Sequence, residues 1–170
     1  MVVCVGGVGS GKTLLLKLLA DRAFDPDSLL VPTVGVNIYS LALRSGKRKV
    51  SVSIRELGGE LAPLWGEYLK TETCLIFVVD TQNLGQVGLV AVKLCECLAQ
   101  LERNSISFNQ VARVCLVWTK QGSVKTLTKL LRLKELLHNS PVILTEISFN
   151  PSTLSGIPEL EQWLISTQAC

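Results

Sequence analysis

An α/β fold, with a mostly parallel six-stranded sheet and helices on both faces, is predicted by three features of this sequence. Short apolar runs that suit buried strands alternate along the chain with longer segments whose leucines repeat at helical spacing. A glycine-rich stretch, GGVGSGKT at residues 6–13, lies between the first strand and the first helix. At 170 residues the chain suits one core, so we expect a single domain over residues 1–170.

The first part of the chain predicts a strand–loop–helix unit followed by an antiparallel hairpin. The Asp-Pro-Asp sequence after the first leucine-rich segment ends the helix, and Ser45-Gly46 is a turn signal between two alternating runs. We expect strands at residues 2–5, 36–43 and 49–55, a helix at 12–22, a loop at 56–63 and a short helix at 64–69.

The rest of the chain predicts three more strands, each followed by a helix. The continuous apolar run TCLIFVV suits a strand that is buried on both faces. We expect strands at residues 73–79, 111–118 and 142–147, and helices at 84–102, 124–137 and 157–167. Ligands bind at the carboxyl ends of parallel strands, where Asp80, Thr119, Lys120 and Ser148 stand together with the glycine-rich stretch.

The glycine-rich stretch has the spacing G-x-x-x-x-G-K-[ST] of a phosphate-binding loop, which predicts a P-loop NTPase. Glycines let successive backbone N–H groups turn toward a polyphosphate, and the following helix adds its positive N-terminal dipole. Lys12 is expected to reach the β- and γ-phosphates, and Thr13 to bind Mg²⁺. The alternative is a glycine-rich turn that binds nothing. The residues expected around the phosphates are Gly7, Val8, Gly9, Ser10, Gly11, Lys12 and Thr13.

Composition and charge exclude several classes of function. The net charge of +3 is too small to indicate a nucleic-acid partner, and no apolar run approaches the ~20 residues that span a bilayer. Val2 excludes N-myristoylation, and a cysteine in the last position excludes a prenylation motif. The cysteines lack metal-binding spacing and fit a reducing compartment. We expect a cytoplasmic protein without a direct membrane anchor that is monomeric outside complexes.

The order of the motifs resembles the Ras superfamily of small GTPases. PTVG with Asn37, then ELGG, PLW, Tyr68 and LIFVVD, is similar to the Arf and Arf-like branch. The sequence RELGG in place of W-D-x-G-G, with a second switch two residues short, is similar to a divergent Arf-like member. The resemblance covers nearly the whole chain. It implies a small G domain that binds GTP or GDP with Mg²⁺ and recruits partners in intracellular or ciliary trafficking, and it allows membrane association through those partners.

The resemblance also implies roles for residues of the two switch loops. Thr33 would meet Mg²⁺ and the γ-phosphate, Gly59 would donate its N–H to the same phosphate, and Glu56 would hold Mg²⁺ through water. The alternative for Thr33 is a strand-entry residue without a ligand. Because a γ-phosphate holds both loops in one arrangement, effector proteins would read the stretches from Val34 to Ile38 and from Leu61 to Tyr68.

The expected catalytic position departs from the family. Glu60 stands where the family's glutamine orients the attacking water. An ionised carboxylate is repelled by the γ-phosphate and cannot donate a hydrogen bond. We expect at most a very slow GTPase. The alternative is that Glu60 points to solvent and a partner supplies the catalytic residues.

The base-selecting motif departs furthest, because N-K-x-D is replaced by Thr119-Lys120-Gln121-Gly122. Lys120 can lie along the base and Thr119 can replace part of the asparagine's bonding, but the carboxylate is lost. The loss costs roughly 3–6 kcal/mol of affinity and most of the preference for guanine over adenine. Ser148 begins the last base-contacting motif.

Two functions therefore stay open. One is a GTP-binding switch of the Arf-like type with weak or absent hydrolysis. The other is a pseudo-GTPase interaction module that binds nucleotide loosely or not at all. A P-loop kinase or ATPase is disfavoured, because the chain lacks an arginine-rich lid segment.

Overall fold

One sheet with helices on both faces organises the residues that the computed structural model describes, which are 1–46, 48–83, 85, 87–120 and 140–168. The strands in these ranges are β1 (Val2–Gly6), β2 (Val36–Ser45), β3 (Arg48–Leu57), β4 (Cys74–Asp80), β5 (Arg113–Thr119) and β6 (Ile143–Ser148). The helices there are α1 (Lys12–Ala20), α2 (Trp65–Leu69), α3 (Val87–Phe108) and α4 (Ile157–Thr167), and a 3-10 segment spans Gly59–Leu64.

The strand order is β2-β3-β1-β4-β5-β6, and every neighbouring pair is parallel except the β2–β3 hairpin. The predicted mostly parallel six-stranded sheet is therefore confirmed. Because β1, β3, β4, β5 and β6 run in one direction, their last residues lie along the same edge. These residues are Gly6, Leu57, Asp80, Thr119 and Ser148. The tertiary fold thus places the polar segments after five strands side by side.

Strict alternation along the central strands divides the apolar side chains between two cores. In β1, Val2 and Cys4 pack with the leucines of α1 and with α4, whereas Val3 and Val5 pack with α2 and α3. Each fully buried aliphatic side chain stabilises the fold by roughly 1.5–3 kcal/mol. The central strands are buried on both faces, which explains why they are continuous apolar runs.

Some element boundaries differ from those predicted, for physical reasons that the structure makes clear. Residues 56–63 were expected to form a loop, but Glu56 pairs with Cys4 on one side and Asn37 on the other and so extends β3. Helix α1 ends at Ala20 because Asp21 adopts an extended conformation and its carboxylate accepts the N–H of Ala23. Helix α4 covers the predicted residues 157–167. The helix predicted at 124–137 lies outside the described residues.

None of the described helices is both long enough and apolar enough to cross a bilayer.

Candidate nucleotide-binding site

A cleft of about 330 Å³ opens at the carboxyl edge of the sheet. Its volume lies within the range of small-molecule sites. The cleft joins the phosphate loop, the segment before β2 and the start of the 3-10 segment. The predicted site residues in its wall are Val8, Gly9, Gly11, Lys12, Thr13, Thr33, Gly59, Glu60 and Lys120. The structure therefore brings together residues that are distant in the sequence.

The phosphate loop has a conformation that requires glycine at its two ends. A Cβ on Gly6 would lie 2.4 Å from the carbonyl oxygen of Val78 on the neighbouring strand. Gly11 precedes α1 with a φ of 90°, in the left-handed region that glycine adopts without strain. Both constraints act on the backbone, so a side chain at either position would disturb the loop.

Lys12 is buried beneath the loop and held by two of its carbonyl groups. The Nζ donates to the oxygens of Gly6 at 2.8 Å and Gly7 at 2.9 Å. Burial lowers the pKa of Lys12 from its ordinary value, while the nearby Cys4 and Glu56 act in the opposite direction. These contacts fix the amine in the wall of the cleft, where it would meet a phosphate.

Three side chains that were predicted to serve Mg²⁺ converge on one point. The hydroxyl of Thr13 donates to Oε1 of Glu56 at 2.5 Å and lies 3.0 Å from the hydroxyl of Thr33. The Thr33 hydroxyl is 3.3 Å from the same Oε1. Two hydroxyls and one carboxylate fit Mg²⁺, which binds few protein oxygens and completes its shell with phosphate and water. The described residues contain no cluster of three or more His, Cys, Asp or Glu that could hold a metal on its own.

The other oxygen of Glu56 is held by strand β2, a contact that sequence reasoning missed. Asn37 donates its side-chain amide to Oε2 at 3.1 Å, and the hydroxyl of Tyr39 donates to Oε2 at 3.3 Å. Burial, followed by the charge of Glu56, raises the pKa of Tyr39 to about 12, so the phenol remains a donor at neutral pH. In the sequence, the spacing of Asn37 and Tyr39 by two residues on a predicted strand was the signal that their side chains face the same side.

Two consecutive glycines join the switch loops to the phosphate loop. The N–H of Gly58 donates to the oxygen of Gly35 at 2.8 Å, and a Cβ on Gly58 would lie 2.4 Å from the oxygen of Thr33. A Cβ on Gly59 would lie 2.3 Å from the backbone nitrogen of Val8. The backbone of the second switch therefore lies against both the first switch and the phosphate loop.

Thr119 lies behind the phosphate loop rather than in the wall of the cleft. Its buried hydroxyl donates to the oxygen of Ser10 at 2.6 Å and lies 3.1 Å from the oxygen of Val79. A hydroxyl has one donor, which is used within the protein. Thr119 therefore supports the loop, and its contact with a base remains a prediction.

Lys120 follows in the left-handed region, with a φ of 60°, and forms an ion pair with Asp80 at 2.5 Å. Thr81, which was not predicted, explains how this turn is held. Its hydroxyl lies 2.8 Å from the oxygens of both Thr119 and Lys120, which share its single proton, and its N–H donates to the oxygen of Thr119 at 3.0 Å. The base-loop residues Gln121 and Gly122 lie outside the described residues.

Ser148 is exposed at the end of β6 and does not line the cleft. The next residue, Phe149, is buried in the core beside α1 and α4, and it borders a separate cavity of about 240 Å³ together with Lys120 and Asn150. The predicted site residues that stand outside the wall of the main cleft are Gly7, Ser10, Glu56, Thr119 and Ser148.

Glu60 lies in the 3-10 segment, where it is exposed to solvent and also lines the cleft. Its carboxylate is therefore available both to water and to a bound ligand. Glu60 therefore fits both interpretations from the sequence, a carboxylate beside a bound phosphate and a side chain that points to solvent.

The segments expected to face a partner carry several exposed apolar side chains, which we call the exposed apolar row. Val34 is 90% exposed and Ile38 66%, and Leu64 is about half exposed at 48%. Trp65, within the predicted stretch Leu61–Tyr68, is only 3% exposed, and its indole N–H donates to the oxygen of Gly58 at 3.4 Å. Its ring packs on Phe77 in the core, so it supports this surface from below.

The phosphate loop, the two contacting switch loops and the sheet order define a P-loop protein with the small-GTPase fold. A sequence profile of the ADP-ribosylation factor (Arf) family matches residues 1–168. The chain belongs to that family, which confirms the predicted relationship to the Arf and Arf-like branch.

Individual relatives agree with this assignment. Human ADP-ribosylation factor-like protein 16 is 29% identical over 98% of this chain and 85% of its own length, which confirms the likeness to a divergent Arf-like member. Human ADP-ribosylation factor-like protein 4A is 29% identical over 82% of this chain and 70% of that protein. The Arabidopsis thaliana ADP-ribosylation factor-like protein 8b is 25% identical over 60% of this chain and 53% of that protein.

Two solved structures share the fold. The small GTPase Arl6 BBS3 of Trypanosoma brucei, with the bound nucleotide analogue GppNp, superposes with a TM-score of 0.71 at 22% identity, covering 99% of this chain and 96% of that one. The mammalian SRP receptor gives a TM-score of 0.67 at 21% identity, covering 96% of this chain and 97% of that one. The likeness to the small GTPase Arl6 BBS3 confirms the small-GTPase fold.

Proposed function

We propose that this protein is a GTP-binding switch of the Arf-like type whose intrinsic hydrolysis is weak or absent. The supporting observation is the contact of both switch loops with the phosphate loop, through Thr33 on Thr13 and Gly59 against Val8. Small GTPases of the Arf family bind GTP and GDP. A ligand that stabilises these contacts would stabilise the two loops together.

The nucleotide phosphates would be held by the loop N–H groups and by Lys12. Thr13 and Thr33 would bind Mg²⁺ directly and Glu56 through water, and the ion would neutralise phosphate charge. Since the Thr33 hydroxyl and the Glu56 carboxylate already lie 3.3 Å apart, little rearrangement of the first switch is needed. Loss of the γ-phosphate would remove one anchor of both switch loops.

The test is direct measurement of nucleotide binding. Any nucleotide that copurifies is identified, and labelled GTP, GDP and ATP are then titrated with Mg²⁺. We expect guanine nucleotides to bind, and Lys12→Ala to weaken binding at least about tenfold because a charged phosphate contact is lost. Failure of all three nucleotides to bind would contradict the proposal. Equal affinity for GTP and ATP would contradict guanine selectivity alone.

A pseudo-GTPase interaction module is the second candidate. It is favoured by the base side of the site, where the Thr119 hydroxyl is already bonded to Ser10 and Gly122 replaces the base-selecting carboxylate. In that case a partner would bind Lys12→Ala as well as wild type. A partner that requires the held phosphate would instead lose affinity for this variant.

The proposed partner is an effector protein that contacts the exposed apolar row around Val34, Ile38 and Leu64. An apolar surface next to nucleotide-dependent loops suits a contact that changes with the bound nucleotide. We propose action in cytoplasmic or ciliary trafficking, with membranes reached through partners. Support comes from the Arf-like relatives alone.

A further inference from the structure

We infer that Tyr39, with Asn37, is a positioning residue that holds Glu56 for Mg²⁺ and so couples strand β2 to the cation site. The inference rests on the proposed function, because it concerns the Mg²⁺ that accompanies the nucleotide. It assigns Tyr39 a role in the site although the residue does not line the cleft.

The two oxygens of the Glu56 carboxylate have different partners. Oε1 accepts from Thr13 and lies within 3.3 Å of Thr33, the two hydroxyls expected to bind the ion. Oε2 is bound by Asn37 at 3.1 Å and Tyr39 at 3.3 Å, both on β2. The carboxylate therefore bridges the cation site and the strand.

Strand register explains why these two donors reach the same oxygen. Asn37 is paired directly with Glu56 in the β2–β3 ladder, and Tyr39 is two residues along and so on the same face. Glu56 is fully buried. A buried carboxylate is costly unless its oxygens accept hydrogen bonds, and Asn37 and Tyr39 supply the side-chain donors to Oε2.

The extra methylene of glutamate makes such positioning necessary. The resemblance implies an aspartate at this position, which is shorter by about 1.5 Å and has one rotatable bond fewer. A longer acid loses more rotamer entropy when it is fixed. Donors on Oε2 restrict that freedom before the ion binds, so Oε1 is already oriented toward the two threonines.

The test measures how Mg²⁺ slows the release of labelled GDP. In Tyr39→Phe, which removes only the phenol oxygen, we expect the Mg²⁺ concentration at half-maximal slowing to rise about three- to tenfold. Asn37→Ala should shift it in the same direction. Ser40→Ala is the matched control, because it removes a hydroxyl from the adjacent, exposed β2 residue on the opposite face. We expect Ser40→Ala to stay within about twofold of wild type.

A double-mutant cycle with Glu56→Asp separates positioning from a general effect on the fold. The shortened carboxylate cannot reach the phenol, so Tyr39→Phe should add less than about twofold in this background. A full additional effect would overturn the inference, as would a Tyr39→Phe variant that equals wild type. A wild-type protein whose GDP release ignores Mg²⁺ would overturn it as well. A wild type that binds no nucleotide would overturn the proposed function together with the inference.

Discussion

Glu60 is the residue on which hydrolysis depends in the proposed switch. It lines the cleft close to Gly59 and Val8, where the terminal phosphate of a bound nucleotide would lie. An ionised carboxylate only accepts hydrogen bonds, whereas a glutamine amide both donates and accepts and is not repelled by phosphate. We therefore expect the identity of this side chain to affect the rate of hydrolysis.

We expect Glu60→Gln to raise single-turnover GTP hydrolysis at least about tenfold, because an oriented donor near the developing charge typically contributes that much or more. Release of labelled phosphate from preloaded protein measures the rate. Glu96→Gln is the control, since Glu96 is an acid on α3 that pairs with Lys93 and does not line the cleft. Equal rates for Glu60→Gln and wild type would show that the site lacks more than the glutamine.

At the scale of elements, the 3-10 segment and the end of β3 determine how the switches meet. Gly58 has ordinary extended backbone angles, with a φ of −56°, so its glycine is required by space and not by conformation. A Cβ here would lie 2.4 Å from the oxygen of Thr33, well inside van der Waals contact. A side chain here would force the first switch away from the second.

Gly58→Ala should therefore lower the free energy of unfolding by about 1–3 kcal/mol, as overpacking against backbone does. Gly66→Ala is the matched control, because a Cβ on Gly66 in helix α2 meets no atom within 4 Å. That control should be neutral or stabilising by up to about 1 kcal/mol, since alanine favours helix. Urea denaturation of both variants makes the comparison, and equal stabilities would contradict the close approach of the two switches.

At the scale of the whole molecule, two cores on opposite faces of one sheet share the stabilisation. Each core contains a buried thiol: Cys115 on β5 in the core with α1 and α4, and Cys97 on α3 in the core with α2. Burial raises the pKa of each thiol from 9.0 to about 12. Both therefore stay protonated in the folded protein under conditions where the unfolded chain ionises.

This difference predicts a loss of stability at alkaline pH. Because the folded pKa is raised, the stabilisation is complete below pH 9 and is lost as the pH rises toward about 12, at up to ~1.4 kcal/mol per pH unit for each thiol. Urea denaturation at pH 8, 9, 10 and 11 measures it, and Cys115→Ala should reduce the slope. A free energy of unfolding that rises above pH 9 would contradict the prediction.

The sequence by itself determined the strands, most of the helices and the phosphate loop. These features depend on local chemistry. Helix α4 was predicted at residues 157–167, where it lies, because a proline in the first turn and apolar residues at helical spacing mark it within eleven consecutive residues. The glycines of residues 6–13 predicted the phosphate loop because their pattern is also local in the sequence.

Only the tertiary structure decided which side chains meet. The contacts of Tyr39 with Glu56, Thr119 with Ser10 and Thr81 with the base loop join segments that are distant in the chain. They depend on strand register, and a shift of one residue would turn each side chain to the other face of the sheet. Trp65 belongs to the stretch Leu61–Tyr68 that was predicted to face effectors, and the packing of helix α2 on the sheet buries it against Phe77.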